Sequence, residues 1–148
     1  MENSRILVDT SVIIDHLRKI EKDRSVLYGL MKKYDVCISV VTEFELFAGA
    51  RNEQKKKDVQ TILDLCQIFP FSSETARESA KIYDKLRNTN QIIEIRDIFI
   101  ASTAIVQNVP VSTLNVDHFK RIEHLNLLEA WWNELWRRWV VIDNILVA

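Results

Sequence analysis

Acidic and amide residues stand directly after several short apolar runs of this chain. Asp9, followed by Thr10 and Ser11, ends RILVD; Thr42-Glu43-Phe44-Glu45 follows CISVV; Thr113-Leu114-Asn115-Val116-Asp117 closes the run VPVST. Asp97 opens IFIASTAIV, the most apolar helical stretch, where a carboxylate is costly to keep beside buried surface. Carboxylates and amide oxygens are hard donors of the kind that Mg²⁺ and Mn²⁺ accept alongside water. Three or four such acids around one or two ions can turn water into a nucleophile and stabilise a departing phosphate-ester oxygen. That chemistry needs neither His nor Cys. His16, His118 and His124 lack the spacing of a zinc site, and His118 reads as a surface or hinge residue.

Each of these residues also has an ordinary structural explanation. Asp9 and Ser11 could cap a helix starting at residue 11, and Asp97 could sit in a first helical turn, where the macrodipole favours an anion. Thr42 and Glu45 have the spacing of a capping box; Asn115 is a common turn residue, and Asp117 could be the anionic first turn of a short helix. The conjunction favours a site, because independent capping positions have no reason to fall on one edge of one sheet.

For these residues to meet, the intervening elements must be parallel strands joined by helices. Residues 5–9, 36–41, 67–71, 109–113 and 125–129 read as strands, several nearly all apolar, as strands covered on both faces are. Helical patterns fill 11–19, 23–34, 42–51, 54–66, 73–88 and 97–107, with a short turn at 116–121 and Ser73 as an N-cap. The alternation predicts an α/β domain with a central, mostly parallel sheet of about five strands, whose strand C-termini share one edge. No repeat, linker or low-complexity segment divides it.

Composition removes several classes. Only Gly29 and Gly49 are present, so neither G-x-G-x-x-G nor a P-loop can be written. Cys37 and Cys66 are too few for a four-Cys zinc site and read as reduced core thiols, which suits a cytoplasmic setting. Asp9 and Asp15 interrupt the apolar N-terminus, so no signal peptide is expected, and no run approaches the ~18 apolar residues of a membrane span. With 148 residues, 28% charged and a net charge of −1, the chain reads as one soluble domain without an overall positive field.

Four motifs resemble the PIN-domain ribonucleases, and among them the VapC-type toxins of toxin-antitoxin pairs. ILVDTSVIIDHL resembles the family's opening strand, CISVVTEFELFAGA its strand-helix segment, RDIFIASTA its third acid and the Ala after it, and VSTLNVDHFKRI its fourth motif. The second motif places an acid four residues before Gly, which selects Glu45. Glu43 cannot share its direction, since residues two apart on a helix lie about 200° apart. In the fourth motif Asn115 stands where the family carries Asp or Asn, and Asp117 is the nearby carboxylate. The fourth site residue is therefore Asn115 or Asp117, and one or two ions remain open.

The resemblance implies a three-layer α/β/α fold over residues 1–130 and a Mg²⁺- or Mn²⁺-dependent endoribonuclease. Asp9, Glu45 and Asp97 would hold the metal, with Asp117 as a further candidate, while Ser11, Thr113 and Asn115 would orient carboxylates, water or phosphate. Hydrolysis would leave a 5′-phosphate and a 3′-hydroxyl. The resemblance further implies a homodimer, acting on RNA and silenced by a small antitoxin whose C-terminal segment fills a groove near the site. Arg96, Arg51 and Lys120 are the candidate RNA contacts; Lys55, Lys56 and Lys57 are equally a solvated helix face. A PIN fold that binds RNA or protein without cutting is the alternative.

Residues 131–148 do not belong to that pattern. Trp131, Trp132, Trp136 and Trp139 all lie there, and on a helix Leu128, Trp132, Leu135, Trp136 and Trp139 would share one face. A terminal helix packed on its own domain or on a second copy is the simplest expectation, with a membrane-surface or antitoxin-like role as the alternative.

Overall fold

The computed structural model of the chain describes residues 4–128. Strands β1 (Arg5–Val8), β2 (Asp35–Ser39), β3 (Gln67–Phe69) and β4 (Val111–Ser112) form one sheet in the order β3-β2-β1-β4, and every pair is parallel. The helices are α1 (Thr10–Arg18), α2 (Val26–Met31), α3 (Val40–Gly49), α4 (Glu53–Leu63), α5 (Ser73–Asn88), α6 (Ile95–Gln107) and α7 (Val116–Phe119).

The continuous apolar runs of β1 and β2 follow from cover on both faces. Ile6 and Val8 point to a core shared with Val12 and Ile13 of α1, Leu27 of α2, Leu46 of α3 and Val59 of α4. Leu7, one residue out of phase, joins a second core with Ile82 of α5, Ile98 and Ala101 of α6 and Phe119 of α7. Hence three layers: α1–α4, the sheet, then α5–α7.

Among the described residues the sheet has four strands rather than about five. In place of a strand over 125–129, a single parallel bridge joins Leu127 to Val111, with Leu128 N donating to Val111 O at 2.8 Å. Other boundaries move for local reasons. Ser39 ends β2 and accepts from Val41 N at 2.9 Å, so Val40 and Val41 begin α3 instead of extending the strand. That removes the capping box, because Thr42 lies buried inside the helix. The helix expected over 23–34 is broken at buried Ser25, which caps α2 through Tyr28 N at 3.0 Å; a 3-10 turn, Lys22–Arg24, precedes it. Ser72, not Ser73, caps α5, accepting from Thr75 N at 3.1 Å. Asn108 ends α6 with a left-handed φ of 53°, a conformation Asn tolerates, and Pro110 then leads into β4.

Strands β2 and β3 lie on one side of β1 and β4 on the other, so the order reverses between β1 and β4. Ligands of open parallel sheets bind at such a point, beyond the strand C-termini. Asp9 follows β1 and Thr113 follows β4 there. Among the described residues no helix is long and apolar enough to cross a membrane. The Trp-rich residues 131–148 and the end of the 1–130 unit lie outside the described residues.

Candidate active site

Asp9 stands in the N-cap position of α1 but makes no capping hydrogen bond with its side chain. Its Oδ2 instead accepts from Ser11 Oγ at 2.7 Å and from Thr113 Oγ1 at 2.8 Å. The backbone ties the same two segments together, since Asp9 N donates to Ser112 O at 2.9 Å. Ser11 completes the bracket: its Oγ accepts from Leu114 N at 3.1 Å. Asp9 is only 4% exposed, so its carboxylate is held by hydroxyl donors in near isolation from bulk water.

Glu45 projects from the middle of α3 to the same edge. Thr10 Oγ1 donates to its Oε1 at 3.0 Å and lies 2.9 Å from Thr42 Oγ1, so buried hydroxyls connect α1 with α3. Arg96 Nη1 lies 3.2 Å from Glu45 Oε2. Burial pushes the Glu45 carboxyl above its ordinary range, Thr10 and Arg96 oppose the shift, and Asp9 and Asp97 add to it by repulsion.

Asp97 lies in the first turn of α6, because that helix starts at Ile95, two residues earlier than the apolar pattern indicates. Its Oδ2 is 2.9 Å from His118 Nδ1 and 3.3 Å from Asn115 Nδ2, and those two nitrogens are 2.8 Å apart. Burial again raises the carboxyl pKa; the His118 contact lowers it, while Asp9 and Glu94 raise it. Asp9, Glu45 and Asp97, from residues 88 positions apart at the extremes, thus share one electrostatic field.

Asn115, not Asp117, faces this cluster. Asp117 is 80% exposed and pairs with Lys120 at 2.8 Å, which takes both residues out of the site. The reason is helical: Asn115 and His118 are three residues apart and share a face, whereas Asp117 lies two residues, about 200°, from Asn115. Arg96 is at the site; Arg51 is exposed just past the end of α3. Lys55 lines a cleft of about 280 Å³ between α1, α3 and α4, together with Leu17, Arg18, Glu45 and Gly49. Lys56 is tied to Glu53 at 3.4 Å.

His118, read from the sequence as a surface or hinge residue, is partly exposed and reaches Asp97. Its three-residue spacing from Asn115 was the available signal, but it acquires meaning only once Asp97 is known to lie opposite. Thr10 and Thr42 carried less of one, since hydroxyls beside acids are common. His16 and His124 are elsewhere, the first 2.5 Å from Ser25 Oγ and the second beside Glu123.

The groups present are carboxylate and hydroxyl oxygens, with the Asn115 amide and one imidazole, and the acids repel one another. That set suits a hard divalent cation, whose charge would relieve the repulsion. Among the described residues no three His, Cys, Asp or Glu side chains stand close enough together to hold a metal ion between them as placed. Mg²⁺ tolerates this, because it keeps several waters and takes only one or two carboxylates directly.

Fold and site together define a parallel α/β protein with an acid-lined, oxygen-donor centre where its strand order reverses. Within that class the chain belongs to the PIN domain family, whose pattern matches residues 6–125. It is 35% identical over 120 residues to Ribonuclease VapC10 of Mycobacterium tuberculosis, covering 81% of this chain and 90% of that one. It is 32% identical over 126 residues to Ribonuclease VapC1 of Methanocaldococcus jannaschii, covering 85% and 87%. A chain in the structure of VapBC2 from Rickettsia felis bound to a DNA fragment from their promoter is also similar, with a TM-score of 0.75 and 25% identity, over 84% of this chain and 97% of that one.

Proposed function

We propose that the chain is a divalent-metal-dependent endoribonuclease, the toxin of a toxin-antitoxin pair, acting in the cytoplasm. The observation that carries this reading is the convergence of Asp9, Glu45 and Asp97 at the switch point, with the pKa values of Glu45 and Asp97 raised by burial first and by repulsion from Asp9 as well. Relatives named as ribonucleases at 32% and 35% identity support the activity. The antitoxin partner is supported by the R. felis neighbour, a VapBC assembly, and by the apolar-floored cleft running up to Glu45, which suits an inserted segment. A second copy of the chain is the other expected partner.

Bound Mg²⁺ or Mn²⁺ would activate a water for in-line attack on the RNA phosphate and offset charge on the departing 3′-oxygen. Asp9, Glu45 and Asp97 would hold it, directly or through water. Thr113 and Ser11 keep Asp9 Oδ2 in a fixed direction, so the carboxylate does not reorganise when charge develops. Thr10 does the same for Glu45, and Asn115 with His118 for Asp97. Arg96, paired with Glu45 and Glu94 at the edge of the acids, would supply the phosphate contact once those pairs open.

Purified protein incubated with RNA and Mn²⁺ is expected to yield fragments with 5′-phosphate ends, and chelator or Asp9→Asn to abolish them. RNA binding without cleavage in any divalent metal would favour a binding module instead.

A further inference from the structure

Arg96 is the one guanidinium seated on the acid cluster among the described residues, and it bridges two carboxylates. Its Nη1 is 3.2 Å from Glu45 Oε2, and its Nη2 is 3.2 Å from Glu94 Oε2. The other Glu45 oxygen accepts from Thr10. Both oxygens of Glu45 are therefore engaged by groups of the chain itself. An arginine keeps its charge at any working pH, so a cation can reach Oε2 only by moving it. Arg96 is half-exposed, where an ion pair is held weakly, and Glu94, the N-cap residue of α6, gives it a second anchor on the solvent side.

We propose that Arg96 is a built-in counter-ion that competes with the divalent metal for Glu45, and that metal binding transfers it to Glu94 and turns it toward RNA phosphate. The proposal rests on the metal-dependent nuclease reading. It explains why a site of mutually repelling acids holds together without an ion, and it couples metal to substrate: the guanidinium becomes available for phosphate only when the metal has taken Glu45. Thermodynamic linkage makes the competition reciprocal, so weakening the Arg96–Glu45 pair must tighten the metal.

The test is Mn²⁺ affinity of the RNA-free protein, by calorimetry or electron paramagnetic resonance, for wild type, Arg96→Ala, Glu94→Gln and the double variant. Arg96→Ala is expected to bind Mn²⁺ about fivefold tighter or more, while its KM for RNA rises. Glu94→Gln is expected to weaken Mn²⁺ binding when Arg96 is present and to leave it unchanged in the Arg96→Ala background, because Glu94 acts through Arg96. Unchanged or weaker binding in Arg96→Ala overturns the proposal. So does an equal effect of Glu94→Gln in both backgrounds, which would indicate bulk charge alone. Arg96→Gln serves if Arg96→Ala fails to fold. Absence of Mn²⁺ binding in every form removes the nuclease reading and the proposal together, whereas normal wild-type binding with unresponsive variants removes the proposal only.

Discussion

Thr113→Val is the most searching single change, because it keeps the shape of a buried side chain and deletes one hydroxyl. Thr113 is 2% exposed; its Oγ1 donates to Asp9 Oδ2 at 2.8 Å and accepts from Asn115 N at 2.9 Å. A hydrogen bond to a charged acceptor contributes about 1.5–3 kcal/mol, and Asn115, half-buried, can recover water for its amide. A loss of about 2 kcal/mol is therefore expected. With a urea m-value of about 2 kcal/mol/M, the metal-free unfolding midpoint falls by about 1 M. Freed from one of its two hydroxyl donors, Asp9 should also lose metal affinity by about 10–100-fold, the usual cost of removing an orienting partner. Thr113→Ser, which retains the hydroxyl, is expected to keep most of the Mn²⁺ affinity. A midpoint unchanged in Thr113→Val, or Mn²⁺ affinity lost equally in both variants, would refute the reasoning that this hydroxyl orients Asp9.

Asp97→Asn is expected to abolish cleavage yet stabilise the metal-free protein at neutral pH. The folded chain holds protons on Glu45 and Asp97 more tightly than the unfolded chain, so metal-free stability rises as pH falls through their raised pKa values toward the ordinary 4.5 and 3.8. Burial lowers the His16 pKa, which works in the opposite direction below pH 6.5, so the acid effect is read as the difference between wild type and Asp97→Asn in thermal melts across pH; identical pH profiles would defeat it. His118→Asn, which presents a side-chain nitrogen near the position of Nδ1, should retain most of the Mn²⁺ affinity and cleavage rate, while His118→Leu loses about 10–100-fold of both; equal losses would show that packing alone matters. RNA affinity should depend on salt with a log-log slope of about −2, as for about three phosphate contacts on a single strand, and a slope steeper than about −5 in filter binding would contradict so small a cationic contact.

The fold was legible where the chain obeys one physical rule at a time. β1 and β2 are continuous apolar runs because both faces are covered, and their ends could be read because acids and hydroxyls follow at once. Val40 and Val41 were not, since two β-branched residues after a strand look like more strand, and only the capping hydroxyl of Ser39 reverses that preference. Ser25 hides in the same way: a polar residue inside a helical pattern becomes a break because its hydroxyl serves both Tyr28 N and His16. For the site, Asp9, Glu45 and Asp97 could be placed at one edge from strand-end positions and family resemblance together. What could not be read was direction around a one-turn helix. Asn115 and His118 point in and Asp117 points out because α7 begins at Val116, a boundary that a four-residue helix does not announce by periodicity.

The net charge of −1 is silent about phosphate binding because so few charges are in play at the site. Much of the surface cation is committed locally: Lys56 to Glu53, Arg87 to Asp84, Lys120 to Asp117, Lys85 across to Glu123. Such exposed pairs add little stability, but each reduces the field that a polyanion would meet. At the centre the sign is negative, with Arg96 the one guanidinium in contact with the acids among the described residues. An RNA phosphate approaching the metal-free rim is therefore repelled by the residues that would act on it. A divalent ion inverts that sign locally, and if it also releases Arg96, one binding event both cancels the repulsion and frees a cation for phosphate. Affinity for a phosphate backbone is then inseparable from metal occupancy, which is a different design from a basic groove that holds nucleic acid first and assembles its catalytic ion afterwards.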